Sequence, residues 1–473
     1  MAFNSRFGQA LSAISVFFVQ TLAYVDKSGD VIIPGASSYN GLNLVPQMGW
    51  DNWNAFACDV NSSLLLNTAQ AMADYGLRDL GYKYVVLDDC WSIGRNSSGY
   101  LEYDPQKFPG GMKSVADSLH AMDMKFGMYS SAGTFTCGRY PGSLGYETED
   151  ADLWASWGVD YLKYDNCFNQ GQSGTPKLSF DRYNVMSKAL NATGRDVYDS
   201  IMNILNKMAP ITSRSAPGAF NDMDMLEVGN GGQSDSEYVA HFSMWALMSS
   251  PLLIGTNVLT LSPANLAIYS NPAVIALNQD PSGGAAVRKW QYFVDPDEYG
   301  QGEIALWTRQ MNNSDMVFAL LNAGNSSRCG STCPDAVSSQ ANFSRRSMNT
   351  TLYDIFLDAA TAGAYKAPLQ LEEQFDVWDL WGNRMSDEEA ATLINGTAPA
   401  IGANSTSVTR YNATAVSYAD GLNANNTALY GKKVGTIGPG AQSTFEATID
   451  RHSVGLYRIR QISDNARRKR DEL

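Results

Sequence analysis

From residue 41 to about 285 the chain alternates short apolar runs with helical patterns, and nearly every run stops on polar or acidic residues. The runs are 44–50, 82–90, 125–129, 159–166, 219–226 and 252–257; the helical stretches between them include 63–75, 112–122, 150–157, 179–190 and 237–248. This rhythm marks βαβ units, hence a parallel sheet covered by helices. Chemistry-bearing residues gathered at the carboxyl ends of parallel strands predict an α/β fold of the (β/α)8-barrel type over 40–285, because active sites of such barrels sit on that face. A doubly wound sheet is the alternative, but no glycine-rich phosphate turn follows the first run.

The texture changes from about 290. Segments 304–308, 316–322, 375–381 and 453–459 are short and rich in β-branched and aromatic residues. They predict an antiparallel β-sandwich over 290–459, followed by a basic tail over 460–473. The barrel count does not close, however. A barrel of about 250 residues spends about 31 on each βα unit and needs eight strands, whereas six apolar runs are present. The helix ending near Leu190 leads directly into Asn191–Ser200 and another helical pattern, so two strands are expected to be missing. Strand number, tilt and stagger are coupled in a closed barrel. Such a loss would open a sheet edge, and the chain as written is expected to be poorly active or unstable.

Composition narrows the function classes. The chain carries 34 Lys+Arg against 48 Asp+Glu, a net charge of −14, which repels phosphate backbones and argues against nucleic-acid binding. Residues 1–23 read as a secretory signal, with Arg6 before an apolar segment and Thr21-x-Ala23 before a cleavage point. No later run is long enough to span a bilayer, so no membrane association is expected. Asn61, Asn96, Asn191, Asn312, Asn325, Asn342, Asn349, Asn395, Asn404, Asn412 and Asn425 all begin Asn-x-Ser/Thr sequons, a density that suits a glycosylated surface. Six cysteines in an oxidising compartment favour disulfides over zinc, since no Cys-x-x-Cys pair exists and histidines number three. Secretion is the expected destination, with ER retention the alternative carried by the terminal RDEL, residues 470–473. A homo-oligomer is compatible with all of this.

Three acidic clusters stand at run ends: Asp88 with Asp89, Asp165, and Asp222 with Asp224. An acid at the end of an apolar strand is costly to bury unless paired or functional. Lys163 precedes Asp165 by two residues, so both point to one face of a strand, and Asp88 is expected at the same level. Carboxylates and one lysine ringed by Trp50, Trp53, Trp91 and Tyr129 suit a sugar, whose hydroxyls take the acids and whose apolar face takes the rings. Two carboxyl groups can also perform glycoside hydrolysis. Caps and ion pairs at strand ends are the structural alternative. A serine hydrolase is disfavoured by the absence of Gly-x-Ser-x-Gly, and a metal at Asp222/Asp224 by Lys163 and the lack of histidine ligands. No cofactor or metal is expected.

The stretches 48–59 (MGWDNWNAFACD), 87–91 (LDDCW), 127–133 (GMYSSAG), 161–167 (YLKYDNC) and 221–230 (NDMDMLEVGN) together resemble the α-galactosidases, or melibiases, of glycoside hydrolase family 27, close to the secreted fungal type. The resemblance covers about 40 to 459. It implies a retaining hydrolase that releases terminal α-linked galactose from melibiose- or raffinose-type oligosaccharides through a covalent glycosyl-enzyme. It makes Asp165 the nucleophile, Lys163 a ligand of galactose hydroxyls, Asp88 and Asp89 the partners of the 4- and 6-hydroxyls, and Trp53, Tyr129 and Asp224 pocket walls. It also implies disulfides Cys58–Cys90 and Cys137–Cys167, leaving Cys329 and Cys333 as a local pair.

The departure from the family falls where the strand count fails. The family's fifth strand, which reads the sugar's 2-substituent, has no counterpart here, so an α-N-acetylgalactosaminidase remains an alternative. So does an impaired member that at most binds galactose. The sixth strand's Trp-Arg-x-x-x-Asp, whose Asp is the acid/base, is also absent; Asp196 is the best candidate for that Asp. Ala192 stands where the family has its Arg, and Arg195 is no equivalent.

Overall fold

The computed structural model describes residues 43–171, 202–231, 233–294, 302–324, 346–356, 369–402 and 405–462, together with the strand residues 24–25 and 31–32. The signal segment 1–23, the helical stretch 179–190, Asp196, the Cys329/Cys333 pair and the RDEL terminus lie outside the described residues. In the N-terminal unit, Tyr24–Val25 pairs antiparallel with Val31–Ile32.

In the large unit, five strands form one parallel sheet in the order Tyr161–Asp165, Lys125–Ser131, Tyr84–Leu87, Met48–Asp51 and Leu252–Ile254. Parallel neighbours need a crossover, and the helices Ser62–Asp74, Gly111–Ala121 and Glu147–Trp157 supply three of them. Helix Ser62–Asp74 starts where the Asn61 side chain accepts the Leu64 N–H. Helix Asp235–Leu247 opens on a capping box formed by Ser234 and Glu237. The strands read as continuous apolar runs because both faces are covered: Val85 and Leu87 face the helices, while Val86 joins Tyr161, Met225 and Leu253 on the other side. At Gly49 a Cβ would collide with the Tyr84 carbonyl oxygen, so close strand approach excludes a side chain there.

The run 219–226 does not form the expected strand. Leu226 alone makes a parallel bridge, to Ile254. The Asp222 and Asp224 side chains instead accept the N–H groups of Asp224 and Met225, and Asp224 has a left-handed φ of 73°. Side-chain-to-backbone bonds of this kind compete with a ladder. Among the described residues, the end strand Tyr161–Asp165 pairs only with Lys125–Ser131, and the described strands form a curled part of a barrel.

The C-terminal region forms a six-stranded antiparallel sheet in the order Val287–Phe293, Glu303–Gln310, Met316–Asn322, Ser453–Gln461, Phe375–Asp379 and Lys432–Ile437. A two-stranded piece, Arg346–Thr351 with Thr444–Ile449, packs on one face. Phe318 and Leu320 point to that piece, whereas Val317, Ala319 and Leu321 join the core shared with the parallel sheet's helices. Alternate residues of one strand thus serve two cores.

Candidate active site

Register sets the site's layers. Asp51 pairs with Val86, Val86 with Gly127 and Gly127 with Tyr161. Two residues further along, Tyr129 pairs with Lys163, and Asp88 follows Leu87, which pairs with Met128. The Lys163 ammonium lies 2.6 Å from Asp88 Oδ2 and 3.5 Å from Asp51 Oδ2, with all three side chains buried. Burial works against the ammonium, yet Asp51, Asp88 and Asp224 hold the Lys163 pKa well above the ordinary lysine value. Burial, opposed by Lys163, lifts the Asp51 carboxyl well above the usual carboxylate range. Asp51 was missed in the sequence, although it ends an apolar run just as Asp88 does; its Oδ1 accepts the Trp53 N–H at 2.8 Å. Asn52 was also missed, and its Oδ1 accepts the Asp88 N–H.

Asp89 is buried and held by backbone donors: Cys90 N–H to Oδ1 at 2.8 Å and Gly138 N–H to Oδ2 at 2.6 Å. A Cβ on Gly138 would fall 2.8 Å from Asp89 Oδ2 and would push the carboxylate from its donors. Burial raises the Asp89 pKa against those two bonds. Cys90 holds a left-handed φ of 71°, and such strained backbone concentrates at functional sites. Disulfide Cys58–Cys90 ties this turn to the loop after the first strand, and Cys137–Cys167 ties the loops after the third and fourth. Because those last two sulfurs are bonded, the Cys137–Asp165–Cys167 group offers a metal no thiolate.

Asp165 ends its strand half-buried. The Tyr129 hydroxyl donates to its Oδ2 at 2.9 Å and the Asn166 N–H to its Oδ1 at 2.6 Å. Burial and the Asp165 charge push the Tyr129 phenol far above its usual pKa, so it stays a donor. Trp53 packs half-buried against the Val86–Tyr161–Met225–Leu253 cluster. Asp224 contributes its carbonyl to Trp245 Nε1 and its charge to Lys163. Asp222 is buried, and burial followed by Asp224 raises its carboxyl well above the usual range.

The structure therefore brings Asp88, Tyr129, Lys163 and Asp165 together. Asp89 lies next to Asp88 and is held by the Cys137–Cys167 loop; Asp196 is outside the described residues. Two expected ring walls face elsewhere. Trp50 is fully buried in the core beside the helices and donates to the Thr256 carbonyl, while Trp91 stacks edge-on against Trp157. Strand alternation sends Trp50 away from the face that Asp51 occupies.

The family model described as Melibiase_2, alpha galactosidase A, matches residues 45–203 and 195–280, two pieces that meet within 195–203. Alpha-galactosidase 1 of Saccharomyces cerevisiae is 46% identical over an alignment of 481 residues, which covers 90% of this chain and 96% of that protein. Ninety per cent of 473 residues is about 426, so about 55 aligned positions face no residue of this chain. The alpha-galactosidase of Lachancea cidri is 45% identical over 91% of this chain and 97% of its own. Among solved structures, an alpha-galactosidase of S. cerevisiae superposes with a TM-score of 0.80 at 43% identity, covering 90% of this chain and 100% of that one, and it has also been determined with raffinose. Alpha-galactosidase I of Mortierella vinacea follows at 0.67 and 33%, covering 89% and 98%. A fold that resembles these enzymes over almost their whole length, at 43–46% identity to the yeast enzymes, has one explanation in descent: the chain belongs to the alpha galactosidase A (melibiase) family.

Proposed function

We propose that this chain is a retaining α-galactosidase that releases terminal α-linked galactose from melibiose- and raffinose-type oligosaccharides. The observation that carries the reading is the half-buried Asp165 carboxylate, fixed by Tyr129 and Asn166 beside the buried Lys163–Asp88–Asp51 cluster. Asp88, Asp89 and Lys163 take the sugar's hydroxyls; Trp53, Tyr129 and Asp224 wall the pocket. Asp165 attacks the anomeric carbon, and a bond from that carbon to its oxygen forms as the glycosidic C–O bond breaks. Asp196 delivers a proton to the leaving oxygen, then takes one from the water that cleaves the ester. Retention requires the two carboxyl groups about 5–5.5 Å apart. The Tyr129 and Asn166 donors fix one oxygen of Asp165 each, which is the positioning such a step needs.

A fluorinated galactosyl donor should label Asp165, and Asp165→Asn should abolish turnover; a label on another residue overturns the assignment. Parallel hydrolysis of chromogenic galactoside and N-acetylgalactosaminide separates the two activities. The edge that Tyr161–Asp165 leaves among the described residues favours a second reading, in which the chain binds galactose without turning it over. Calorimetry with galactose beside the activity assay distinguishes them. Secretion is the companion proposal, supported by the apolar segment within 1–23 and the sequon density; recovery of glycosylated protein from culture medium tests it.

A further inference from the structure

A groove whose lining includes none of the acidic cluster runs between helix Ser62–Asp74 and the segment after helix Asp387–Ile394. It consists of two adjoining hollows of about 470 and 260 Å³ that share Asp74, Tyr75, Leu393 and Gly396. Asn67, Gln70 and Asp74 form an exposed polar stripe at helical spacing along one wall, where Gln70 Nε2 donates to Asp74 Oδ1 at 2.8 Å. Tyr75 supplies an aromatic surface. In the smaller hollow the half-buried Arg410 adds a cation. Polar groups interleaved with aromatic faces are a carbohydrate-binding composition.

The other wall carries the candidate occupant. Asn395, exposed and lining the larger hollow, begins the sequon Asn395-Gly396-Thr397 immediately after the helix ends. We propose that Asn395 is glycosylated and that the first two sugars of its glycan lie in this groove, joining helix Ser62–Asp74 to the C-terminal region. The inference rests on the secretion reading. Attachment uses a lipid-linked glycosyl diphosphate: the bond from Asn395 Nδ2 to the sugar's anomeric carbon forms, the anomeric C–O–phosphate bond breaks, and the amide proton leaves to a base. The first N-acetylhexosamine then sets its apolar face on Tyr75 and its amide and hydroxyls on Asn67, Gln70 and Asp74. The second reaches Arg410. Other sequons differ: Asn96 lies in an exposed turn where its Oδ1 accepts the Ser98 and Tyr100 N–H groups, and Asn412 already donates Nδ2 to the Ile401 carbonyl.

The test uses the full chain recovered from a eukaryotic secretory host. Glycopeptide mass spectrometry should find Asn395 occupied. Under native conditions peptide N-glycosidase should release its glycan about tenfold or more slowly than that of Asn96, because access requires local opening of the groove. After denaturation the two rates should match. Tyr75→Ala should bring native release at Asn395 up to the Asn96 rate, and Asn395→Gln should lower the melting temperature where Asn96→Gln does not. An unoccupied Asn395 beside an occupied Asn96, or equal native release at both, overturns the inference alone; absence of glycan at every sequon overturns it together with the secretion reading.

Discussion

Replacing Lys163 by methionine keeps the side chain's length and removes its charge. In the native chain the ammonium is 8% exposed and faces Asp88, 3% exposed, at 2.6 Å and Asp51, 0% exposed, at 3.5 Å. At an effective dielectric of about 20 each contact is a gross attraction of about 5–6 kcal/mol, most of it offset by desolvation. Methionine leaves two buried carboxylates without their counter-ion, and breaking a buried pair in this way costs about 3–5 kcal/mol. That is a large share of a typical folding stability of about 5–15 kcal/mol. The shift in urea midpoint, followed by tryptophan fluorescence, measures it. The pH dependence gives the cause. Asp51 already titrates above its unfolded value, and without Lys163 it rises further, so the folded state gains protons relative to the unfolded state as pH falls. The deficit should therefore be largest near pH 7–8 and shrink as the pH falls through the raised Asp51 pKa. Adding Asp51→Asn to Lys163→Met should restore about 1–3 kcal/mol. A deficit below about 1 kcal/mol at neutral pH, or one that grows on acidification, would refute the reasoning.

His241 is buried against Trp245, accepts the Glu227 N–H, and has its pKa lowered by burial to about 3, so it folds neutral. Its contribution is lost as pH falls from about 6.5 toward 3, with a slope of up to about 1.4 kcal/mol per unit, and His241→Gln should flatten stability measured across that window. Arg95 grips the buried Asp150 with two nitrogens at 2.6 and 2.7 Å while also donating to the Gly99 and Gly142 carbonyls. Asp150→Asn should cost about 2–4 kcal/mol in denaturant melts, and Arg95→Met more, because the aspartate is then stranded. Cys137 and Cys167 close a loop of sequence separation 30, so the double serine variant should lose about 3–4 kcal/mol, read as a lower melting temperature than that of the oxidised native chain.

What the sequence determined by itself are features set by spacing along one element. The apolar runs ending in acids announced parallel strands with polar tips. The two-residue interval from Lys163 to Asp165 put both residues on one strand face, and Asp88 could be levelled with Lys163 by counting along adjacent runs. Local chemistry of this kind depends on period two and on the cost of burying an unpaired acid. Other features depended on partners distant in the chain. Asp51 became a counter-ion of Lys163 only because the first strand pairs with the second and, through the third, meets the fourth. Trp50 and Trp91 have the right rings for a sugar pocket, but the neighbours on each face, not the residue type, decided that they pack against helices. The run 219–226 has a strand's composition yet takes an irregular path held by its own aspartates. Met316–Asn322 reads simply as a buried strand; tertiary packing divided its residues between two cores, since a periodicity reports that faces differ without naming what covers each one.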